Sequence, residues 1–280
     1  MTDSPLETGV QKVTGLIKHV FGIPQKVGLV LGGGAARGEA HIGVIKVLVE
    51  NKIPIHFIAG SSSGALFGAL FSGGLNPYDM AKQARNTDWM RLVRLRLSRS
   101  GPVSGEGIEK LVIDSIGNKN IEDLRIPLNI IATDLKTGER VVIRNGNAAK
   151  AVHASSAIPG VFSPVQFQGR LLADALIVDN VPVEAARDMG ADFIIAVDVV
   201  PNVILDGWSP NAFNVIERAV DINCRRSSEA AKRTADIVID PVDSNVSALS
   251  LDMVDQLIKM GEDAAAKVIP QIRSKLKIPD

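Results

Sequence analysis

The stretch Ile55-His56-Phe57-Ile58-Ala59-Gly60-Ser61-Ser62-Ser63-Gly64-Ala65-Leu66-Phe67-Gly68-Ala69-Leu70 runs from an apolar strand into an apolar helix through a turn of small residues. A serine centred in G-x-S-x-G at such a junction reads as a nucleophile elbow. The flanking glycines, Gly60 and Gly64, permit a strained backbone and close approach, so Ser62 Oγ is expected to stand at the helix N-terminus. There the unpaired N–H groups and the helix dipole favour nearby negative charge, which suits acyl transfer. A plain Gly/Ser loop has the same composition, so the pentapeptide needs support from elsewhere in the chain.

That support lies upstream. Lys26-Val27-Gly28-Leu29-Val30-Leu31 reads as a buried strand and runs directly into Gly32-Gly33-Gly34-Ala35-Ala36-Arg37-Gly38. An apolar-periodic helix follows, with Ala40, Ile42, Gly43, Val44, Val47 and Leu48 on its packed side. Three adjacent glycines leave backbone N–H groups unshielded and able to converge on an anion. Phosphate readings fit poorly. A P-loop ends in Gly-Lys-Ser/Thr, where this chain has Arg37-Gly38. A dinucleotide fingerprint would put its third glycine at Arg37, and the acidic residue expected after the next strand is missing because that strand ends at Ala59-Gly60. The segment Gly32, Gly33, Gly34, Arg37 and Gly38 therefore reads as an oxyanion hole.

A Ser-His-Asp hydrolase of the α/β type needs its histidine last in chain order. The histidines are His19, His41, His56 and His153, and none follows a late-strand acid. His41 and His56 are expected to be packed or hydrogen-bonded structural residues, and His153 is a weak base candidate before Ser155-Ser156-Ala157-Ile158-Pro159. A carboxylate must then serve as base. Asp134, Asp174, Asp179 and Asp198 each sit near the end of an apolar run, and spacing alone does not choose among them.

The chain resembles the bacterial members of the patatin-like phospholipase family. Four segments carry the resemblance: Gly32-Gly33-Gly34-Ala35-Ala36-Arg37-Gly38, Gly60-Ser61-Ser62-Ser63-Gly64, Ala154-Ser155-Ser156-Ala157-Ile158-Pro159-Gly160-Val161-Phe162, and Asp174-Ala175-Leu176-Ile177-Val178-Asp179-Asn180-Val181-Pro182. Their order and joint presence are more specific than any one of them. The resemblance implies a three-layer α/β/α fold and a Ser-Asp dyad without histidine. In it Ser62 is the nucleophile and Asp174 accepts its proton. Gly33 and Gly34 amides stabilise the oxyanion, and Arg37 adds positive charge near the loop. It also implies fatty-acyl esters of phospholipids or lysophospholipids as substrates and no metal or organic cofactor. The physical logic is independent of it: a serine hydroxyl needs a positioned base, and partial burial raises a carboxylate's pKa far enough to be useful. One departure stands out. The family writes Asp-Gly-Gly or Asp-Gly-Ala where this chain has Asp174-Ala175-Leu176. A positive φ at Ala175 would strain the turn and shift the carboxylate, whereas a negative φ makes alanine harmless.

Along the 280 residues, strands and helices alternate as in an α/β protein with a largely parallel sheet. Strands are expected at 27–31, 57–60, 128–133, 140–143, 170–172, 193–199 and 237–239, and helices at 38–50, 62–73, 77–86, 107–115, 148–155, 182–189, 211–233 and 252–275. The domain reading is an amphipathic extension over 1–25, a catalytic core over 26–200, and C-terminal helices with one strand over 201–280, packed on the same domain. Balanced charge, 31 basic against 31 acidic residues, argues against a general nucleic-acid binder. The single Cys224 excludes an intrachain disulfide, and no Cys/His cluster has metal-ligand spacing. No apolar run has the length of a membrane span, and a signal-peptide core is missing, so a cytoplasmic protein with peripheral membrane contact is expected. Three regions are candidates for substrate handling: the helix over 6–21, the arginine-rich segment 89–99 with Trp89, and the loop 98–107 as a lid. Oligomeric state is open. The alternatives to a phospholipid hydrolase are a broad carboxylesterase or thioesterase, and a catalytically weak lipid-binding module.

Overall fold

The computed structural model describes residues 25–89, 105–201, 212–244 and 246–279. The amphipathic helix expected within 1–25, the arginine segment beyond Trp89 and most of the 98–107 loop lie outside these residues.

Within the described residues the strands form one mixed sheet. Its parallel half is built from β1 (Val27–Leu31), β2 (Phe57–Ser61), β3 (Leu128–Asp134), β7 (Phe193–Val197) and β8 (Ile237–Ile239), in the spatial order β3-β2-β1-β7-β8. Parallel strands flanked by helices are buried on both faces, which is why these segments read as continuous apolar runs. Alternate side chains nevertheless enter different cores. Leu29, Leu31, Ile58, Ile130, Ile195 and Val197 point to one face. They pack there with α1 (Ala40–Glu50), α2 (Ser63–Ser72) and α8 (Val254–Leu276). Val30, Ala59, Ile131, Ile194 and Ala196 point to the other, against Val183, Ala185 and Ala186 of α6 (Val183–Arg187). The result is the expected three-layer α/β/α arrangement.

Beyond β3 the sheet turns antiparallel. β4 (Arg140–Ile143) pairs with Ile130–Thr133, while β6 (Arg170–Ala173) pairs with Thr133 and Asp134 and carries β5 (Val165–Phe167) at the edge. The β5–β6 connection is Gln168-Gly169, with φ of 48° and 77°. Two positive-φ residues make the tight hairpin turn whose twist matches its strands. In the sequence Gly169-Arg170 reads as a hairpin turn before the strand expected at 170–172, and the structure sets that turn one residue earlier; β5 has no expected counterpart, because three residues are too few to show a period. The helix expected over 38–50 begins instead as a 3-10 turn, Ala35–Glu39, before continuing as α1. The remaining helices are α3 (Pro77–Asn86), α4 (Glu106–Ile116), α5 (Ala148–Ser155) and α7 (Ala212–Lys232).

The topology decides where chemistry is located. β1 ends at the glycine loop, β2 ends at Ser62, and β6 ends beside the end of β3 and delivers Asp174. All three meet at the carboxyl edge of the parallel strands, the edge at which α/β sheets bind ligands.

Candidate functional site

Ser62 lies between β2 and α2 with φ 50° and ψ −121°, a conformation that costs a non-glycine residue about 1–3 kcal/mol. Several contacts hold it there. Its amide donates to Ser155 Oγ at 2.8 Å, and the neighbouring Ser61 Oγ donates to the Asp179 carbonyl at 2.7 Å. Gly64 lets α2 rest on β1, because a Cβ there would overlap the Leu31 carbonyl. The first amides of α2, which no helix can satisfy internally, therefore open beside the serine.

Ser62 Oγ donates to Asp174 Oδ2 at 2.8 Å. The other carboxylate oxygen accepts from the Leu176 amide at 2.9 Å, and Thr133 Oγ1 donates to the Asp174 carbonyl at 2.8 Å. Asp174 is fully buried, and burial pushes its carboxyl up to about 7, against the opposing pull of the Leu176 amide and the Ser62 hydroxyl. The three rival aspartates are tied to cations instead. Asp134 bonds Arg170 at 3.1 Å, Asp179 bonds Arg140 at 3.0 Å, and Asp198 bonds Lys232 at 3.1 Å. Asp174 has no cationic partner among the described residues. Ala175 is not among the residues with positive φ, so the alanine that replaces the family's glycine introduces no backbone strain.

The amides of the glycine loop are engaged in different ways. The Gly32 amide donates to the Val197 carbonyl at 2.9 Å and so continues the β1–β7 ladder. The Gly33 amide donates to the Asn180 carbonyl at 3.2 Å, and the Gly34 amide donates to Ser63 Oγ at 3.0 Å. Only the last of these acceptors is a hydroxyl that can turn away. The loop is braced by Asn180, whose Nδ2 donates to the Gly33 carbonyl at 3.2 Å. It is braced also by His41, whose Nε2 lies 2.7 Å from the Gly32 carbonyl. Burial holds the His41 imidazole down at about 4, so it is neutral and Nε2 carries the proton.

Three members of the expected oxyanion set are corrected by this geometry. Gly32 has its donor committed to the sheet. Arg37 does not face the loop as a free charge: its guanidinium makes a two-pronged pair with Asp221 on α7, at 2.8 and 2.9 Å, and Nε donates to the Val246 carbonyl. Gly38 sits in the 3-10 turn and packs on the Ser63 side chain. Gly33 remains beside Ser62 with its amide on the Asn180 carbonyl, and Gly34 keeps the loop amide whose acceptor can turn away.

None of His41, His56 and His153 hydrogen-bonds to Ser62 or Asp174. His56 Nδ1 accepts from the Val27 amide at 2.9 Å, and His153 Nδ1 pairs with Glu109 at 2.6 Å. Among the described residues no group of three or more His, Cys, Asp or Glu is placed to hold a metal ion. Ser62 opens on a cleft lined mainly by apolar side chains such as Leu66, Phe67, Leu111 and Phe162. Reasoning from the sequence missed Ser155, Asn180 and Asp221 as supports. Ser155 and Asn180 stand inside quoted motifs, but Asp221 has no local signal, lying 184 residues from Arg37.

Residues 29–187 match the family model described as patatin-like phospholipase. An uncharacterized NTE family protein of Mycobacterium tuberculosis is 38% identical over 215 residues, covering 72% of this chain and 59% of its own length. A lysophospholipase, NTE1, of Scheffersomyces stipitis is 26% identical over 286 residues, covering 91% of this chain and 18% of its own. The chain thus spans less than two thirds of the length of each of these relatives. In structure it is similar to VipD from Legionella pneumophila, with a TM-score of 0.51 at 15% identity over 89% of this chain and 67% of that one. That likeness is one of fold.

Proposed function

This chain belongs to the patatin-like phospholipase family, and from that membership and the contact between Ser62 and Asp174 we propose that it is a serine acyl hydrolase acting on fatty-acyl esters of phospholipids or lysophospholipids. The observation that carries the reading is the 2.8 Å hydrogen bond from Ser62 Oγ to a buried carboxylate that has no cation beside it among the described residues. A carboxyl poised near 7 is matched to taking up and returning a proton at neutral pH.

In the first half-reaction Ser62 Oγ attacks the ester carbonyl carbon while its proton passes to Asp174. The C–O bond to the alcohol breaks, and the alcohol leaves with the proton that Asp174 holds. Water then attacks the acyl-Ser62 ester and gives a proton to Asp174. Ser62 Oγ leaves, regains that proton, and the fatty acid departs. In both steps the oxyanion takes the place of the Ser63 hydroxyl on the Gly34 amide, with the first amides of α2 alongside. Removing one such donor typically costs about 100- to 1,000-fold in rate.

The lysophospholipase name of the yeast relative and the apolar cleft both favour a lipid acyl chain over a small acyl group. Such a substrate is met at an interface, so the reading includes contact with a lipid surface; among the described residues no helix is long and apolar enough to cross a membrane. The test is fatty-acid release from phospholipid and lysophospholipid vesicles, with soluble short-chain esters in parallel. Wild type is expected to release fatty acid, and folded Ser62→Ala and Asp174→Asn to lose at least about 1,000-fold. Equal turnover by Ser62→Ala would overturn the reading, and activity on soluble esters alone would make the protein a general carboxylesterase.

A further inference from the structure

One buried group beside Ser62 has no part in that chemistry. Glu39 closes the 3-10 turn after the glycine loop, is 2% exposed, and lines the same cleft as Ser62. Neither carboxylate oxygen has a hydrogen-bond partner among the described residues. The cleft it lines is otherwise mainly apolar, with Leu66, Phe67 and Leu111, and the Trp89 indole N–H there is already given to the Ala84 carbonyl; the Asp255 carboxylate also lies close enough to act on Glu39.

An unpaired carboxyl in an apolar pocket is costly, and a ligand that supplies the missing partner recovers that cost. We propose that Glu39 is a specificity-determining residue, selecting acyl chains that carry a hydroxyl group over unsubstituted chains of the same length. The inference rests on the acyl-hydrolase reading for its substrate class. Burial, with the Asp255 carboxylate adding to it, holds the Glu39 carboxyl up at about 8. At neutral pH it is therefore a carboxylic acid with one donor and one acceptor, which is what an alcohol satisfies. A cationic ligand would need the ionised form that burial disfavours. A plain alkyl chain fills the cleft but leaves the acid dry and unpaired. Sites built to bond a hydroxyl reject the analogue that lacks it, more strongly than apolar pockets reject an extra methylene.

The experiment compares full-length wild type, Glu39→Gln and Glu39→Leu on paired p-nitrophenyl esters: decanoyl against 3-hydroxydecanoyl, and stearoyl against 12-hydroxystearoyl. Wild type should favour a hydroxylated ester by about tenfold or more in kcat/KM. Glu39→Gln keeps a donor and an acceptor and should retain the preference. Glu39→Leu should bring the ratio to about one. The same ratio is read without turnover by letting the matching methyl esters displace a fluorescent alkyl probe from Ser62→Ala. No preference in either pair, or one that survives in Glu39→Leu, overturns the inference. Hydrolysis of plain esters without a preference would sink the role of Glu39 and leave the acyl-hydrolase reading standing. A protein that hydrolyses no ester would fail that reading, and the displacement ratio alone would then decide for or against Glu39.

Discussion

At the scale of single residues, the site is a strained serine held against a destabilised acid. Asp174 has its carboxyl raised from 3.8 to about 7 by burial, so the native state keeps a proton through a window in which the unfolded chain has lost it. Two consequences follow with definite sign. Activity needs the ionised base, so kcat/KM should climb with pH and level off above about 7, as a pH-rate profile on a soluble ester will read. Stability runs the other way: it is fully present below the unfolded value and is lost as pH rises toward the folded one. Asp174→Asn should therefore raise the Tm more at pH 8 than at pH 4, and an equal gain at both would contradict the burial argument. Ser155 carries a second prediction. Its hydroxyl is the acceptor for the buried amide of Ser62. Ser155→Ala should cost about 1–3 kcal/mol of stability and lower kcat, measured by denaturant melts and initial rates. Ser62 and the glycine loop were legible in the sequence because tight turns advertise themselves through glycine. The acid was not legible from spacing, since all four aspartates end apolar runs; what separates them is a cation beside each of the other three, a property of folded neighbours.

At the scale of elements, the apolar runs of β1, β3, β4 and β8 announced themselves, and so did the amphipathic helices. What a period cannot say is which face meets what. The helix expected over 252–275 became α8, Val254–Leu276, and its partner proved to be α1, far away in sequence. The two cross closely enough that a Cβ on Gly43 would overlap the Ile258 carbonyl, and one on Gly261 the Ala40 carbonyl. Gly261→Ala should then force the helices apart and cost about 1–3 kcal/mol, seen as a lower urea midpoint at unchanged slope. A neutral result would mean that the crossing is looser than the structure has it. The hairpin of β5 and β6 shows the opposite limit. It places Asp174, and β6 with its turn is legible from Gly169 and Leu171-Leu172, whereas β5, three residues long, leaves no pattern to read.

At the scale of the whole molecule, the site depends on contacts that bring distant chain together. The pair between Arg37 and Asp221 ties the turn after the glycine loop to α7, with both side chains buried. Asp221→Ala leaves a guanidinium buried without its carboxylate and should cost about 3–5 kcal/mol, whereas Arg37→Met with Asp221→Leu should recover most of that loss. Thermal melts of the single and double variants check it. Among the described residues one nucleophile, Ser62, and one base, Asp174, carry the proposed chemistry. The most direct trial of that claim is peptide mapping by mass spectrometry after reaction with an alkyl fluorophosphonate, following the labelling rate with pH. The account predicts an adduct on Ser62, a rate that rises to a plateau above about 7, and a large loss of rate in Asp174→Asn. An adduct on another residue, or labelling of Asp174→Asn as fast as wild type, would contradict it.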